Sequence, residues 1–133
     1  KPAEIRILAS SIQVIAKDHG FEKWDNFPSE KNKLLNLIEK LKLKNLIIIS
    51  GDRHLASIAK TTIGKQQIYD ITSSSLNRPA KFTQPEIDQS YTAPSYLGIN
   101  YGMAYVNWPA KTISFEILDQ FNKVQLSQSI SFK

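Results

Sequence analysis

Apolar and polar positions change rhythm several times along the chain, and each change marks an expected element. Ile5, Ile7, Leu8 and Ala9 start a strand over residues 5–9, which runs into the polar segment Ser10-Ser11-Ile12-Gln13. Leu34, Leu35, Ile38 and Leu41 fall on one helical face, so residues 30–42 read as an amphipathic helix. Ser29, just after Pro28, is its expected N-cap. Leu46 to Ile49 form a short unbroken apolar run, the pattern of a strand buried on both faces.

Strand, helix and strand in that order predict a βαβ unit. In such sheets ligands gather beyond the carboxyl ends of the strands, here at Gly51 to His54. Gly64-Lys65 reads as a hairpin turn, and Gln67 to Thr72 as a strand ending in Ser73-Ser74-Ser75. Residues 77–100 hold Pro79, Pro85 and Pro94 among polar residues and read as a long surface loop; loops of that length are commonly functional. Tyr101 to Trp108, Thr112 to Leu118 and Val124 to Phe132 carry β-favouring residues, with turns at Pro109-Ala110-Lys111 and Asp119 to Lys123. The expected fold is α/β, ending in a β meander. The chain shows no internal repeat, and residues 1–133 read as a single domain.

Composition narrows the class without naming a chemistry. The 133 residues are 41% hydrophobic and 22% charged, as in ordinary globular proteins. No apolar run approaches the roughly 18–20 residues of a membrane-spanning helix. The opening Lys1-Pro2-Ala3 has neither Met nor a signal region, which suggests a cut inside a longer protein. A net charge of +5 is concentrated in Lys17, Lys23, Lys31, Lys33, Lys40, Lys42 and Lys44. Such a face attracts phosphate or nucleic acid, but a solvated helix face explains it more simply, and nucleic acid is not the favoured partner. With no cysteine there is no disulfide and no thiolate metal site. Trp24, Phe27, Tyr91, Tyr96 and Tyr101 form no nucleic-acid motif and are assigned to packing.

The chemistry concentrates in the stretch IIISGDRHLA at residues 47–56, where an apolar strand breaks into Gly51, Asp52, Arg53 and His54. Carboxylate oxygen suits hard cations and imidazole nitrogen borderline ones, and glycine lets backbone approach a ligand closely. Gly-Asp-x-His is a short pattern, and the same residues also suit a turn in which Asp52 caps and His54 packs. The Ser73-Ser74-Ser75 run lacks the glycine elbow of a nucleophilic serine.

The stretches IRILASSIQVI (5–15), HGFEKWDNFPSEKNKLL (19–35), IIISGDRHLASI (47–58), YDITSSSLNRP (69–79) and NYGMAYVNW (100–108) occur in an order that resembles the C-terminal part of the alkaline phosphatase D family. These are PhoD-like metallophosphatases of the calcineurin-like superfamily. The resemblance implies a β-sandwich flanked by helices, a metal cluster at the strand ends, and hydrolysis of phosphomonoesters or phosphodiesters. It makes Asp52 and His54 metal ligands, with calcium, iron, zinc or manganese as the candidate divalent or trivalent ions. Arg53 would meet a phosphate oxygen, as a guanidinium can bidentately, and Ser10, Ser11 and Gln13 would line the cavity.

Lys31 stands where the family carries Arg, a change expected at a surface contact. The family's earlier Asp-rich and Asn-Asp motifs do not occur in these residues. The chain is therefore expected to be the later portion of the domain, without a complete catalytic site and inactive alone. Self-association through open sheet edges is a further expectation. The family suggests a periplasmic or secreted location. The alternatives are a phosphate or nucleic-acid binding module using the Lys-rich face, and a non-catalytic interaction domain.

Overall fold

A computed structural model describes residues 3–132. Its elements are β1 (Arg6–Ala9), a 3-10 turn (Trp24–Asn26), α1 (Pro28–Lys40), β2 (Leu46–Ser50), β3 (Ala56–Ile63), β4 (Gln66–Ser73), β5 (Asn100–Asn107), β6 (Thr112–Asp119) and β7 (Val124–Ser131). They form two sheets, one ordered β1-β2-β4-β3 and the other β5-β6-β7.

The first sheet contains the expected βαβ unit. β1 pairs parallel with β2, Ile7 opposite Ile47, and β2 pairs parallel with β4, Ile49 opposite Ile71. α1 crosses between β1 and β2, and its Ile38 is buried with Leu46, Ile48, Ile63 and Ile68. Two details of the helix differ from expectation. Phe27 is the N-cap and makes no side-chain cap bond, while Pro28 takes the first turn. Proline fits there because its missing N–H has no helical partner to lose. Leu41 lies just past the helix and is 56% exposed.

β3, which the pattern left unassigned, is an eight-residue strand antiparallel to β4. The turn between them holds Gly64 at φ +60, the left-handed conformation that glycine adopts without a Cβ penalty. β2 is covered on both faces only at first, since Ile47 and Ile48 are buried but Ile49 is 38% exposed.

The second sheet is the expected meander, β5-β6-β7, antiparallel throughout with a bulge between Ile117 and Leu118. Alternate residues Ile113, Phe115 and Ile117 of β6 face the first sheet and pack with Ile47, Ile58 and Ile71. Burial of each such side chain stabilises the sandwich by about 1.5–3 kcal/mol. Gly102 of β5 permits a close approach to β4, because a Cβ there would lie 3.3 Å from Cβ of Ser73.

Residues 77–99 do not form a free surface loop. They return along the outer edge of β3, where Ala56 and Tyr96 exchange backbone hydrogen bonds of 2.8 Å in both directions. Further along, the Lys60 amide donates to the Ser90 carbonyl (2.9 Å) and that of Thr92 to Ile58 (2.8 Å). The segment is a strap that satisfies the edge of β3, and Asp88, Ser90 and Ser95 within it are buried. Lys31 is buried too, contrary to the expected surface contact. Its Nζ lies 3.0 Å from Asp25 Oδ1 and 3.4 Å from the Ile15 carbonyl oxygen.

Candidate functional site

β1, β2 and β4 run parallel and deliver their carboxyl ends, Ser10-Ser11, Ser50-Gly51 and Ser73-Ser74-Ser75, to one side of the sheet. A cleft of about 800 Å³ opens there, and these residues line it together with Asn77, Asn100 and Tyr101. Part of its wall is apolar, formed by Ile7, Ile49, Met103 and Phe115. Gly51, in the wall, leads directly into Asp52.

The turn from β2 to β3 is tight and unusual. Asp52 has φ +59 and His54 φ +54, so two non-glycine residues flanking Arg53 both adopt the left-handed region. Aspartate and histidine are among the residues that tolerate it best. Ser74 holds the turn from below, its Oγ accepting the N–H of Arg53 at 3.0 Å and that of His54 at 3.3 Å. Ser75 Oγ donates to the His54 carbonyl at 3.2 Å.

His54 Nδ1 lies 2.8 Å from the carbonyl oxygen of Arg78. A carbonyl only accepts, so Nδ1 carries a proton and donates, and in the neutral ring the lone pair then sits on Nε2. This outer hydrogen bond is the kind that orients a metal-binding imidazole. Asp52 is exposed on the same turn. The pair fits the chemistry of a metal site, carboxylate oxygen beside imidazole nitrogen. Among the described residues no cluster of three or more His, Asp or Glu side chains is placed to enclose an ion.

Arg53 behaves differently from expectation. Its side chain is 3% exposed and forms an ion pair with Glu86. The guanidinium also lies over the ring of Phe21, 4.6 Å from its centroid. It faces the strap and the residue 18–27 loop, and so does not present itself to a phosphate oxygen. The reason is desolvation: a buried guanidinium needs its carboxylate.

Gln13 is likewise removed from the cavity, with no exposed surface. Its Nε2 lies 2.9 Å from both Ser57 Oγ and Thr72 Oγ1, and Tyr91 Oη lies 3.3 Å from its Oε1. Ser10 and Ser11 do line the cleft.

Around Gln13 runs a buried polar network that individual motifs did not reveal. Ser50 Oγ donates to Asp70 Oδ1 at 2.6 Å and lies 2.9 Å from Thr72 Oγ1. Asp70 Oδ2 accepts the backbone N–H groups of Val14 (2.7 Å) and Ile15 (3.1 Å). Burial raises the Asp70 pKa above its ordinary value, against the opposing pull of the Ser50 hydroxyl, those two amides and Lys31. At the other end, Tyr91 Oη donates to Glu86 Oε1 at 2.8 Å, and burial pushes the Tyr91 phenol up. The one early signal for Glu86 was its place in a long proline-containing segment.

His19 lies beside this network and is buried. Burial first, and then the positive charge of Arg53, lower its pKa from 6.5 to about 4. Its Nδ1 accepts the Phe21 N–H at 3.2 Å. His19 Nε2 and Arg53 Nε are buried without a hydrogen-bond partner.

No protein-family model matches the sequence, and no curated protein does. Among solved structures, the chain is similar to one titled "Structure of PhoD", with a TM-score of 0.68 at 12% sequence identity. The match covers 97% of this chain and 28% of that chain. The two share a fold, and this chain spans little more than a quarter of the length of its structural neighbour.

Proposed function

We propose that this chain is part of a PhoD-like, metal-dependent phosphoric ester hydrolase, to which it contributes Asp52 and His54 as ligands. The observation that carries the proposal is the His54 geometry. Its Nδ1 is committed to the Arg78 carbonyl, which leaves Nε2 free on a turn shared with an exposed carboxylate. The turn stands at the carboxyl ends of parallel strands, and the fold shared with PhoD supports the reading.

A bound divalent or trivalent cation would supply charge to polarise a phosphoryl oxygen and acidify water. The chain's own part is to hold and orient. Asp52 and His54 offer the donors, Ser74 and Ser75 fix the turn, and exposed Ser11 in the wall of the cleft offers a hydroxyl to an ester. Arg53 supports the turn from within, in place of contacting substrate.

Two side chains hold an ion weakly, since protein sites usually supply three or four ligands. The chain alone is therefore expected to bind metal weakly and to hydrolyse no ester. The test is hydrolysis of p-nitrophenyl phosphate and bis-p-nitrophenyl phosphate with added Mn²⁺, Zn²⁺ or Ca²⁺, alongside Mn²⁺ binding followed by NMR line broadening. The expected result is no turnover, with broadening at Asp52 and His54 that Asp52→Ala and His54→Ala remove. Turnover abolished by His54→Ala would refute the inactivity. Broadening indifferent to both substitutions would refute the ligand assignment.

A further inference from the structure

Glu86 belongs to the strap, 33 residues from Arg53 in sequence, yet its carboxylate is the group that neutralises the buried guanidinium. The carboxylate is anchored before it meets that cation. Oε1 accepts the Tyr91 hydroxyl at 2.8 Å, and Tyr91 is tied to the fully buried Gln13. The Glu86 backbone is held by Ser95, whose Oγ accepts the Glu86 N–H at 2.7 Å and whose own N–H donates to the Glu86 carbonyl at 2.9 Å. Opposite, Phe21 presents its ring to the same guanidinium.

Arg53 is thus fixed from both sides, and it is the residue between Asp52 and His54. Both of those hold left-handed backbone conformations that cost free energy unless their surroundings enforce them. Loss of the Glu86 charge would leave the guanidinium buried and uncompensated, beside a Nε that already has no partner. The side chain would then have to reach water. Since Arg53 sits in the centre of the turn, its escape would rotate the two residues that flank it.

We propose that Glu86 is a positioning residue: through its ion pair with Arg53, the strap sets the geometry of the Asp52–His54 turn and hence its affinity for a cation. The consequence for metal affinity rests on the ligand reading given above, whereas the clamp itself does not. Ser74 holds the same turn through its backbone, and Glu86 holds it through its central side chain.

The test compares the unsubstituted chain with Glu86→Gln and Glu86→Asp by NMR. Amide hydrogen exchange and the ¹⁵N shifts of the His54 ring report the turn without metal, and Mn²⁺ line broadening reports affinity. Glu86→Gln is expected to speed exchange at Arg53 and His54 and to mix the His54 tautomers, while amides of β6 keep their rates. Mn²⁺ affinity should fall about 10-fold, in the range seen when outer hydrogen-bond partners of metal ligands are removed. Glu86→Asp, which keeps the charge, should recover part of each change.

Unchanged exchange and an unchanged tautomer in Glu86→Gln would overturn the clamp, whatever the metal does. Broadening that Asp52→Ala and His54→Ala leave intact would instead defeat the ligand reading, and the exchange data would still decide the clamp. If Glu86→Gln does not fold, Tyr91→Phe, which removes one anchor of the carboxylate, must produce the same loop-limited acceleration. If it leaves the turn at its original rates, the proposal fails.

Discussion

The hydroxyl of Ser74, just past β4, accepts the backbone N–H of His54 at 3.3 Å while also accepting that of Arg53 at 3.0 Å. One side chain thus satisfies two consecutive amides of a turn that no regular ladder reaches. Ser74→Ala leaves both without that acceptor and should destabilise the fold by about 1–2 kcal/mol, the cost of losing partly buried hydrogen bonds. Urea denaturation measures the loss, and faster amide exchange at Arg53 and His54 locates it. A variant with wild-type stability and unchanged exchange would show that the hydroxyl does not hold the turn.

Acid should weaken the protein through His19. Burial and Arg53 lower its pKa from 6.5 to about 4, with Lys23 adding to the effect and Glu86 and Asp88 opposing it. A histidine depressed on folding contributes fully above pH 6.5, and the contribution is lost as pH falls toward about 4, because only the unfolded chain protonates in that window. His19→Gln should flatten the stability profile between those limits in urea titrations at successive pH values.

Two carboxylates also shape the profile. Burial alone would raise the Asp88 pKa, but hydrogen bonds from Ser90, Asp18 and Lys17 overcome it and lower the value, so its contribution disappears at still lower pH. Asp70 works oppositely: its raised pKa favours proton uptake on folding, so it gains stability as pH falls through its folded value. If His19→Gln follows the parent profile throughout, His19 is not the acid-sensitive group.

Gln13 should be far more sensitive than a cavity-lining side chain. Gln13→Ala removes the amide shared by Ser57, Thr72 and Tyr91, costing each hydroxyl a partner and leaving a small void. The expected cost is about 2–4 kcal/mol, from desolvated polar groups and lost packing. Equilibrium denaturation decides it. A loss below about 0.5 kcal/mol, the scale of a surface substitution, would contradict the buried network.

Position 52 separates backbone demand from charge. Asp52→Asn keeps a residue that accepts positive φ and should preserve stability while weakening Mn²⁺ binding. Asp52→Val places a β-branched residue at φ +59 and should cost about 1–2 kcal/mol as well. Equal stability for the two variants would mean that the turn relaxes away from the left-handed region.

The parts of the fold legible in the sequence were those written in periodicity. The Leu46–Ile49 run, the Leu34, Leu35 and Ile38 face, and the alternation of Ile113, Phe115 and Ile117 each translated into an element. β3 was obscured because Ala56 to Ala59 are all buried, so no alternation marks the strand there. The strap was misread as surface loop because part of its order comes from pairing with the edge of β3, which its own sequence does not display. At the site, Asp52 and His54 were singled out by residue type, by their place at the end of an apolar strand and by the family resemblance. Glu86, Tyr91 and the Arg78 carbonyl join the turn only through tertiary contacts at separations of 24 residues or more from the turn residues or Gln13, which local pattern does not encode.

The paired left-handed residues carry one more implication, about how such a turn can change over generations. The backbone at 52 and 54 admits a short set of side chains, chiefly glycine, asparagine, aspartate and histidine. Half of that set can ligate a cation through a charged or basic atom, and half serves the chain path alone. A lineage could therefore exchange aspartate for asparagine, or histidine for glycine, and give up the chemistry while the scaffold persisted. At these two positions descent can part the capacity to ligate from architecture in a single step.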